Sequence, residues 1–204
     1  MITPEQEAEY IRRLEKAAKT VGPATKSEAN RMYDLAVSFH GSALRASEDI
    51  AIKETIQSFV VPSIVNIAFA IELYFKCMLK ESSLKAHGHE LKKLFRDLPE
   101  PIKSKVAAEY KIRTGHDRNS FNSDLNNYSN MFVEWRYLYE KNGEKGISPY
   151  RISQIAIAAY TVASSMNPNW DIDPISDDQI MRGPPEATVG LLSLPGGRML
   201  RIKF

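Results

Sequence analysis

The sequence has a single cysteine and almost no net charge, and both shortages exclude classes of protein. Cys77, alone in 204 residues, cannot form an intramolecular disulfide or a cysteine-built zinc site, and it is typical of a reducing compartment. A net charge of +2 does not by itself indicate nucleic-acid binding. A local basic patch would have to provide that function.

The sequence also lacks a long uninterrupted hydrophobic run. The most apolar stretch, residues 60–79, contains Pro62, Asn66, Glu72 and Lys76, and these residues are unfavourable inside a bilayer. The N-terminal residues lack the basic start and apolar centre of a signal peptide. We therefore expect a soluble, cytoplasmic protein that contacts no membrane.

Most of the chain has the hydrophobic spacing of amphipathic helices, and this spacing predicts an all-α fold. We expect an up-and-down helical bundle of five to six helices, with a short C-terminal β-hairpin extension. The helices of the bundle are expected within residues 27–47, 62–80, 88–99, 101–113, 121–142 and 149–166.

Composition divides the chain into three parts. Residues 1–24 are expected to form an N-terminal helix and linker, and residues 25–167 the bundle. Residues 168–204 begin as a Pro-rich, acidic linker. They end in two short runs of strand-forming residues around Pro195-Gly196-Gly197, which predict a hairpin.

Three stretches of the bundle resemble HEPN domains. They are AFAIELYFKCMLK (68–80), GHELKKLF (88–95) and FVEWRYLYE (132–140). In that family a core helix carries a small-apolar-Glu-Leu pattern followed by Lys, and a Gly-His-acidic-Leu segment leads into a short helix. An Arg-Tyr pair lies in the next long helix. The resemblance covers residues 27–166 and implies a helical bundle that forms a homodimer and has RNA or protein partners.

The resemblance does not extend to catalysis. Active ribonucleases of the family use an Arg followed four to six residues later by a His, and they need no metal. Here Arg136 is followed by no such His, and no other Arg has a His at that spacing. We therefore expect no catalytic residue, no bound metal and no cofactor.

Glu72 and Arg136 are predicted to form a largely buried pair between two helices. Each lies at the edge of the apolar stripe of its helix, where an unpaired charge is costly. The matching Glu and Arg also recur on facing helices in the HEPN family. The alternative is an exposed contact between Arg136 and Glu140, one helical turn further on.

His89 and His40 are predicted to have structural roles. Gly88 allows a turn, and His89 then caps or hydrogen-bonds near the start of the following short helix. The alternative, a metal site at His87 and His89, lacks further ligands with suitable spacing. His40 lies on an apolar helix face, which indicates a core histidine with one hydrogen bond.

Basic residues gather in two segments joined by a short helix, and they could share one surface. They are Lys85, Lys92, Lys93, Arg96, Lys111, Arg113 and Arg118. The alternative is an ordinary solvated helix face, and the scarcity of aromatic residues between these side chains argues against base stacking.

Three hypotheses for function follow. The first is a non-catalytic HEPN-like module that binds RNA or protein, in a prokaryotic stress, toxin–antitoxin or phage-defence setting that the resemblance implies. The second is a degenerate, metal-independent ribonuclease in which Arg136 meets His89 or His116 in space. The third is a structural subunit that assembles through its C-terminal hairpin.

Overall fold

The structure, a computed structural model, describes a helical body and several shorter pieces of the chain. The body comprises residues 26–48, 59–130 and 148–170. The shorter pieces are residues 4–5, 8–9, 11–12, 50–52, 55–57, 180–181, 190–194 and 198–202.

The body is built from helices, as the sequence predicts. The helices are α1 (Glu28–Ala46), α2 (Val60–Glu81), α3 (Leu91–Asp97), α4 (Glu100–Thr114), α5 (Arg118–Asn127) and α6 (Pro149–Met166). Outside the body, β1 (Ile50–Ile52) pairs antiparallel with β2 (Thr55–Gln57), and β3 (Gly190–Leu194) pairs antiparallel with β4 (Arg198–Ile202). The hydrophobic pattern does not predict β1 and β2.

Two of the long helices begin at serine residues that cap them. Ser27 Oγ accepts a hydrogen bond from the Asn30 backbone N at 3.1 Å at the start of α1. Ser148 Oγ accepts one from the Arg151 backbone N at 3.3 Å at the start of α6. Each bond satisfies a backbone N–H that has no partner within its helix.

Helix α2 lies at the centre of the body, packed against α1, α3 and α6. From Ile67 to Leu79 nearly every residue is buried, whereas the sequence pattern predicts one apolar stripe. A helix enclosed on all sides keeps no polar solvent face. Its few polar side chains must therefore find partners inside the body.

Helix α2 is also long and apolar enough to cross a membrane by length and composition alone. Its most apolar 18-residue window has a mean hydropathy of 1.5, and 61% of that window is buried inside the body. Core helices of soluble proteins have the same length and composition. Packing inside the body accounts for the apolar character of α2.

The helix predicted over residues 121–142 differs from the structure at its start and is interrupted after residue 127, while residues 131–142 lie outside the described residues. Helix α5 begins earlier, because Asp117 Oδ1 accepts a hydrogen bond from the Ser120 backbone N at 2.9 Å and caps it. It ends at Asn127, and a turn occupies residues 128–130.

The turn after α5 forms because Ser129 caps a different helix. Its carbonyl oxygen accepts a hydrogen bond from the Leu91 backbone N at 3.1 Å, and its Oγ accepts one from the Lys92 backbone N at 3.0 Å. Both donors lie in the first turn of α3. A contact between distant residues thus overrides the amphipathic pattern, as tertiary contacts commonly do.

The body also includes residues assigned above to the linker. Trp170 is buried, and its ring stacks on Tyr33 with centroids 4.7 Å apart. Ile180 is buried as well. Packing on the core therefore continues beyond residue 167, where the Pro-rich composition predicts a free linker.

Candidate nucleic-acid interface

Glu72 is the most deeply buried acidic side chain in the described part of the chain. It is 0% exposed, and its Oε1 accepts hydrogen bonds from Lys76 Nζ at 2.7 Å and from His89 Nδ1 at 2.9 Å. Its Oε2 is buried with no partner among the described residues. The predicted partner, Arg136, lies outside the described residues, so that pair stays a prediction.

The turn before α3 matches the role predicted for Gly88. Gly88 has a φ of +88°, a left-handed conformation that glycine adopts without strain. His89 follows it and directs Nδ1 at Glu72, but 63% of its side chain is exposed. One edge of the His89 ring is therefore engaged by Glu72, and the rest of the ring is open to solvent. Ser129, rather than His89, caps α3.

His40 lies inside the body, where it is 0% exposed. Its Nδ1 is 3.3 Å from the hydroxyl of Tyr74, and its Nε2 has no partner among the described residues. Burial lowers the pKa of His40 to about 3, because the charged form cannot be solvated there. A histidine with no access to solvent cannot exchange protons with a substrate.

A cleft between α3, α4 and α5, here called the basic cleft, is lined mostly by charged side chains of the described residues. Its volume is about 470 Å³. Five cationic side chains line it, whereas Glu90 is the one carboxylate in its lining. The cations are Lys92, Lys93, Arg96, Lys103 and Arg118.

The short helix α3 positions three of these cations. Its apolar residues Leu91, Leu94 and Phe95 are buried, and the Phe95 ring contacts that of Phe121 with centroids 4.9 Å apart. Because the apolar residues fix one helix face, the remaining residues of the turn point outward. Lys92, Lys93 and Arg96 are the outward-facing residues that line the cleft.

Residues of α4 and α5 complete the opposite wall. Lys103 Nζ donates a hydrogen bond to the carbonyl oxygen of Arg96 at 3.3 Å, which joins α4 to the end of α3. Arg118 is the first residue of α5. Lys103 was not predicted as part of the basic surface. The sequence indicates the position of Lys103 only indirectly. Lys103 approaches the cleft because the chain turns at Pro99 and α4 then passes the end of α3.

A carboxylate of α4 bridges two of the cleft cations. Glu100 Oε1 is 2.6 Å from Arg118 Nη1, and Glu100 Oε2 is 3.1 Å from Lys103 Nζ. Hydrogen bonds from Arg118, then Lys103, lower the pKa of Glu100 to about 2. Two other cleft cations also have a partner, since Lys92 Nζ donates a hydrogen bond to Asn126 Oδ1 at 2.9 Å and Arg96 Nε is 3.3 Å from Asp97 Oδ1.

The other predicted basic residues do not join the cleft. Lys85 is exposed in the connection between α2 and α3, and Lys111 is exposed near the end of α4. Arg113 is engaged elsewhere, because its Nε donates to Gln154 Oε1 at 2.8 Å and its Nη2 donates to the Met181 carbonyl at 2.9 Å. The basic surface predicted from sequence is therefore smaller than expected and includes Lys103.

A second polar cluster joins the α4–α5 loop to α6. Arg151 Nη1 donates to Asp124 Oδ2 at 2.8 Å, and Arg151 Nη2 is 3.0 Å from His116 Nε2. Tyr110 donates to the same Asp124 oxygen at 2.5 Å, and this contact and burial raise the pKa of Tyr110. These groups form hydrogen bonds with one another, so the cluster holds α4, α5 and α6 together and has a structural role.

No group of three or more metal-ligating side chains occurs within the described residues. Comparison of the chain with protein-family models, with curated proteins and with solved structures gives no match. The case for a function therefore depends on the geometry of the basic cleft and on the residues that resemble HEPN domains.

Proposed function

We propose that the chain is a non-catalytic helical module of the HEPN type that binds single-stranded RNA through the basic cleft. The observation that carries the proposal is the convergence of five cationic side chains from three helices on one cavity. Lysine and arginine side chains bind phosphate oxygens through charge-assisted hydrogen bonds. The cleft, at about 470 Å³, has room for a phosphate and its neighbouring sugar.

The same geometry favours binding over cleavage. No histidine belongs to the lining of the cleft. His89 is bonded to Glu72, and His116 is bonded to Arg151, which Asp124 also holds. A general base must lie within reach of the group that it deprotonates, and neither histidine lines the cavity where a phosphate would sit.

The resemblance adds the setting of the proposal. A homodimer and a role in prokaryotic stress response, toxin–antitoxin pairing or phage defence are implied by the HEPN-like stretches alone, whereas a cytoplasmic location is expected from the composition of the chain; all three stay predictions. Assembly through the C-terminal hairpin is a separate prediction, which removal of residues 182–204 would test through the oligomeric state, because this deletion keeps the buried Trp170 and Ile180.

Fluorescence anisotropy with a labelled 12-nucleotide single-stranded RNA tests the proposal on the full chain. The variant K93E/R96E should lose affinity by at least about tenfold, equivalent to about 1.4 kcal/mol. The control K85E/K111E makes the same change of charge away from the cleft and should stay within about twofold of the wild type. Wild-type affinity should fall with salt by about 0.7 in the log–log slope for each phosphate contact.

Two results would contradict the proposal. Equal losses of RNA affinity in K93E/R96E and K85E/K111E would show that the affinity depends only on the overall charge of the protein. Stronger displacement of the RNA by an acidic peptide of equal charge than by unlabelled RNA would assign the cleft to a protein partner. Both charge variants change exposed side chains, so their thermal unfolding should match that of the wild type.

A further inference from the structure

Glu100 lies at the edge of the basic cleft, outside its lining, and bridges two of the cations that line it. Its two carboxylate oxygens contact two different cations, Arg118 through Oε1 and Lys103 through Oε2. The two cations come from different helices, α4 and α5, so the carboxylate fills the gap between them. The Glu100 side chain is nevertheless 60% exposed, and its one further contact among the described residues is a hydrogen bond at 3.3 Å that the Ser104 hydroxyl donates to Oε1.

The surroundings of Glu100 are built to hold an anion. The Lys103 side chain is only 19% exposed, and its ammonium is also held by the Arg96 carbonyl at 3.3 Å. Arg118 offers a planar guanidinium, which suits carboxylate and phosphate oxygens alike. Lys92, Lys93 and Arg96 line the same cavity. An anion bound between Lys103 and Arg118 would therefore feel five cationic side chains.

We propose that Glu100 holds the place of a ligand phosphate in the free protein and competes with it for Lys103 and Arg118. A phosphate that enters the cleft displaces the carboxylate, which turns outward into solvent. The carboxylate thereby weakens binding of any anion that cannot replace both of its contacts. This inference rests on the proposed function, because it assigns the position of one phosphate of the bound RNA.

Displacement of the Glu100 carboxylate from Lys103 and Arg118 costs little free energy because the carboxylate is exposed. Ion pairs at a protein surface contribute little free energy, since water and salt screen them. The carboxylate also stays ionised once released, because an ordinary glutamate has a pKa near 4.3. Exchange of Glu100 for a phosphate therefore needs no proton transfer and no rearrangement of the helices.

The alternative role for Glu100 is to position Lys103 and Arg118 for the ligand. The two roles predict opposite changes in anion affinity when the charge of Glu100 is removed. Loss of a competitor strengthens anion binding, whereas loss of a positioning group weakens it. The substitution E100Q distinguishes them, because glutamine keeps the shape of the side chain and removes its charge.

The experiment compares full-length wild type, E100Q and E109Q in binding both inorganic pyrophosphate and the 12-nucleotide RNA. Glu109 lies on the same helix, about 13 Å further along at 1.5 Å per residue, and does not bridge Lys103 and Arg118 as Glu100 does, so E109Q makes the same change of net charge away from these two cations. E100Q should bind pyrophosphate about three- to tenfold more tightly, by isothermal titration calorimetry, and E109Q should stay within about twofold of wild type. In E100Q/K103Q/R118Q the gain should disappear.

Each outcome decides between the ideas. Unchanged or weaker pyrophosphate binding by E100Q overturns the competitor role. Equal gains in affinity in E100Q and E109Q overturn it as well, because they show that affinity depends on the net charge and not on the contacts of Glu100. If E100Q gains affinity for pyrophosphate while no variant binds RNA, the competitor role stands and the RNA proposal fails. If RNA binds the wild type and E100Q gains nothing for either probe, the RNA proposal stands and the competitor role fails.

Discussion

Glu72 and Glu100 each hold two basic side chains, yet they stand at opposite extremes of burial. Glu72 is 0% exposed and binds Lys76 and His89, whereas the Glu100 side chain is 60% exposed and binds Lys103 and Arg118. The chemistry of the two sites is nearly the same. The difference between them is access to water.

Access to water decides what each carboxylate can do. Removal of a buried charge leaves its partner uncompensated in a medium of low dielectric constant, so the contact cannot be exchanged for another. Water and ions compete continually for an exposed carboxylate, so a ligand anion can do the same. The buried site therefore maintains the fold, and the exposed site is available for function.

The largest expected effect is on the buried side of this comparison. E72Q removes the charge that compensates Lys76, whose side chain is only 13% exposed, and should lower the free energy of unfolding by about 3–5 kcal/mol. Urea denaturation followed by far-UV circular dichroism measures the change. E100Q serves as the control and should shift the unfolding midpoint little.

Unfolding of E72Q and E100Q at the same urea concentration would contradict the claim that the buried carboxylate stabilises the fold more than the exposed one. That result would mean that Lys76 reaches water when the carboxylate is lost, as the exposed ring of His89 already does. The described structure gives no route for this, because Glu72 lies on the most enclosed stretch of α2.

His40 extends the comparison to a buried base. Because burial lowers the pKa of His40 to about 3 in the folded protein, the unfolded chain binds more protons than the folded chain between about pH 6.5 and 3. The free energy of unfolding should therefore be unaffected by His40 above about pH 6.5. Below that value it should fall by about 1.4 kcal/mol for each pH unit. The loss between pH 6.5 and 5 is then about 2 kcal/mol.

Urea titrations of wild type and H40Q at pH 7, 6 and 5 measure this slope. Glutamine does not titrate in this range, so the fall with pH should flatten in H40Q even though H40Q is less stable at pH 7. An equal slope in wild type and H40Q would place the titrating group elsewhere.

The sequence predicted the parts of this molecule that depend on local pattern. Hydrophobic spacing placed the starts of α1 and α6, and the apolar residues of α3 left Lys92, Lys93 and Arg96 on its outer side. The sequence also singled out Glu72, because a charge within an apolar segment needs a partner.

The remaining features depend on contacts that no local pattern contains. Lys103 and Glu100 reach the cleft only because the chain turns at Pro99 and α4 passes the end of α3. The end of α5 is set by Ser129, which leaves the helix pattern to cap α3 from 37 residues away. Such contacts follow from the tertiary fold, and periodicity does not reveal them.

The smallest expected effect connects the two sites through α3. Glu72 anchors His89 just before this helix, and Ser129 caps its first turn, so both buried contacts support the helix that carries three cleft cations. S129A removes the hydrogen bond to the Lys92 backbone N and keeps the carbonyl contact with Leu91. We expect a cost of about 0.5 kcal/mol, at the low end for a lost cap.

Native-state hydrogen exchange detects a loss of this size, because a short helix opens locally before the whole body unfolds. The Lys92 amide should exchange about twofold faster in S129A, while amides of α2 keep their protection, and RNA affinity should fall by less than twofold. Faster exchange throughout α2 would show instead that α3 and the core open together. In that case the exposed cleft would not be independent of the buried carboxylate, and the separation between the two sites would be lost.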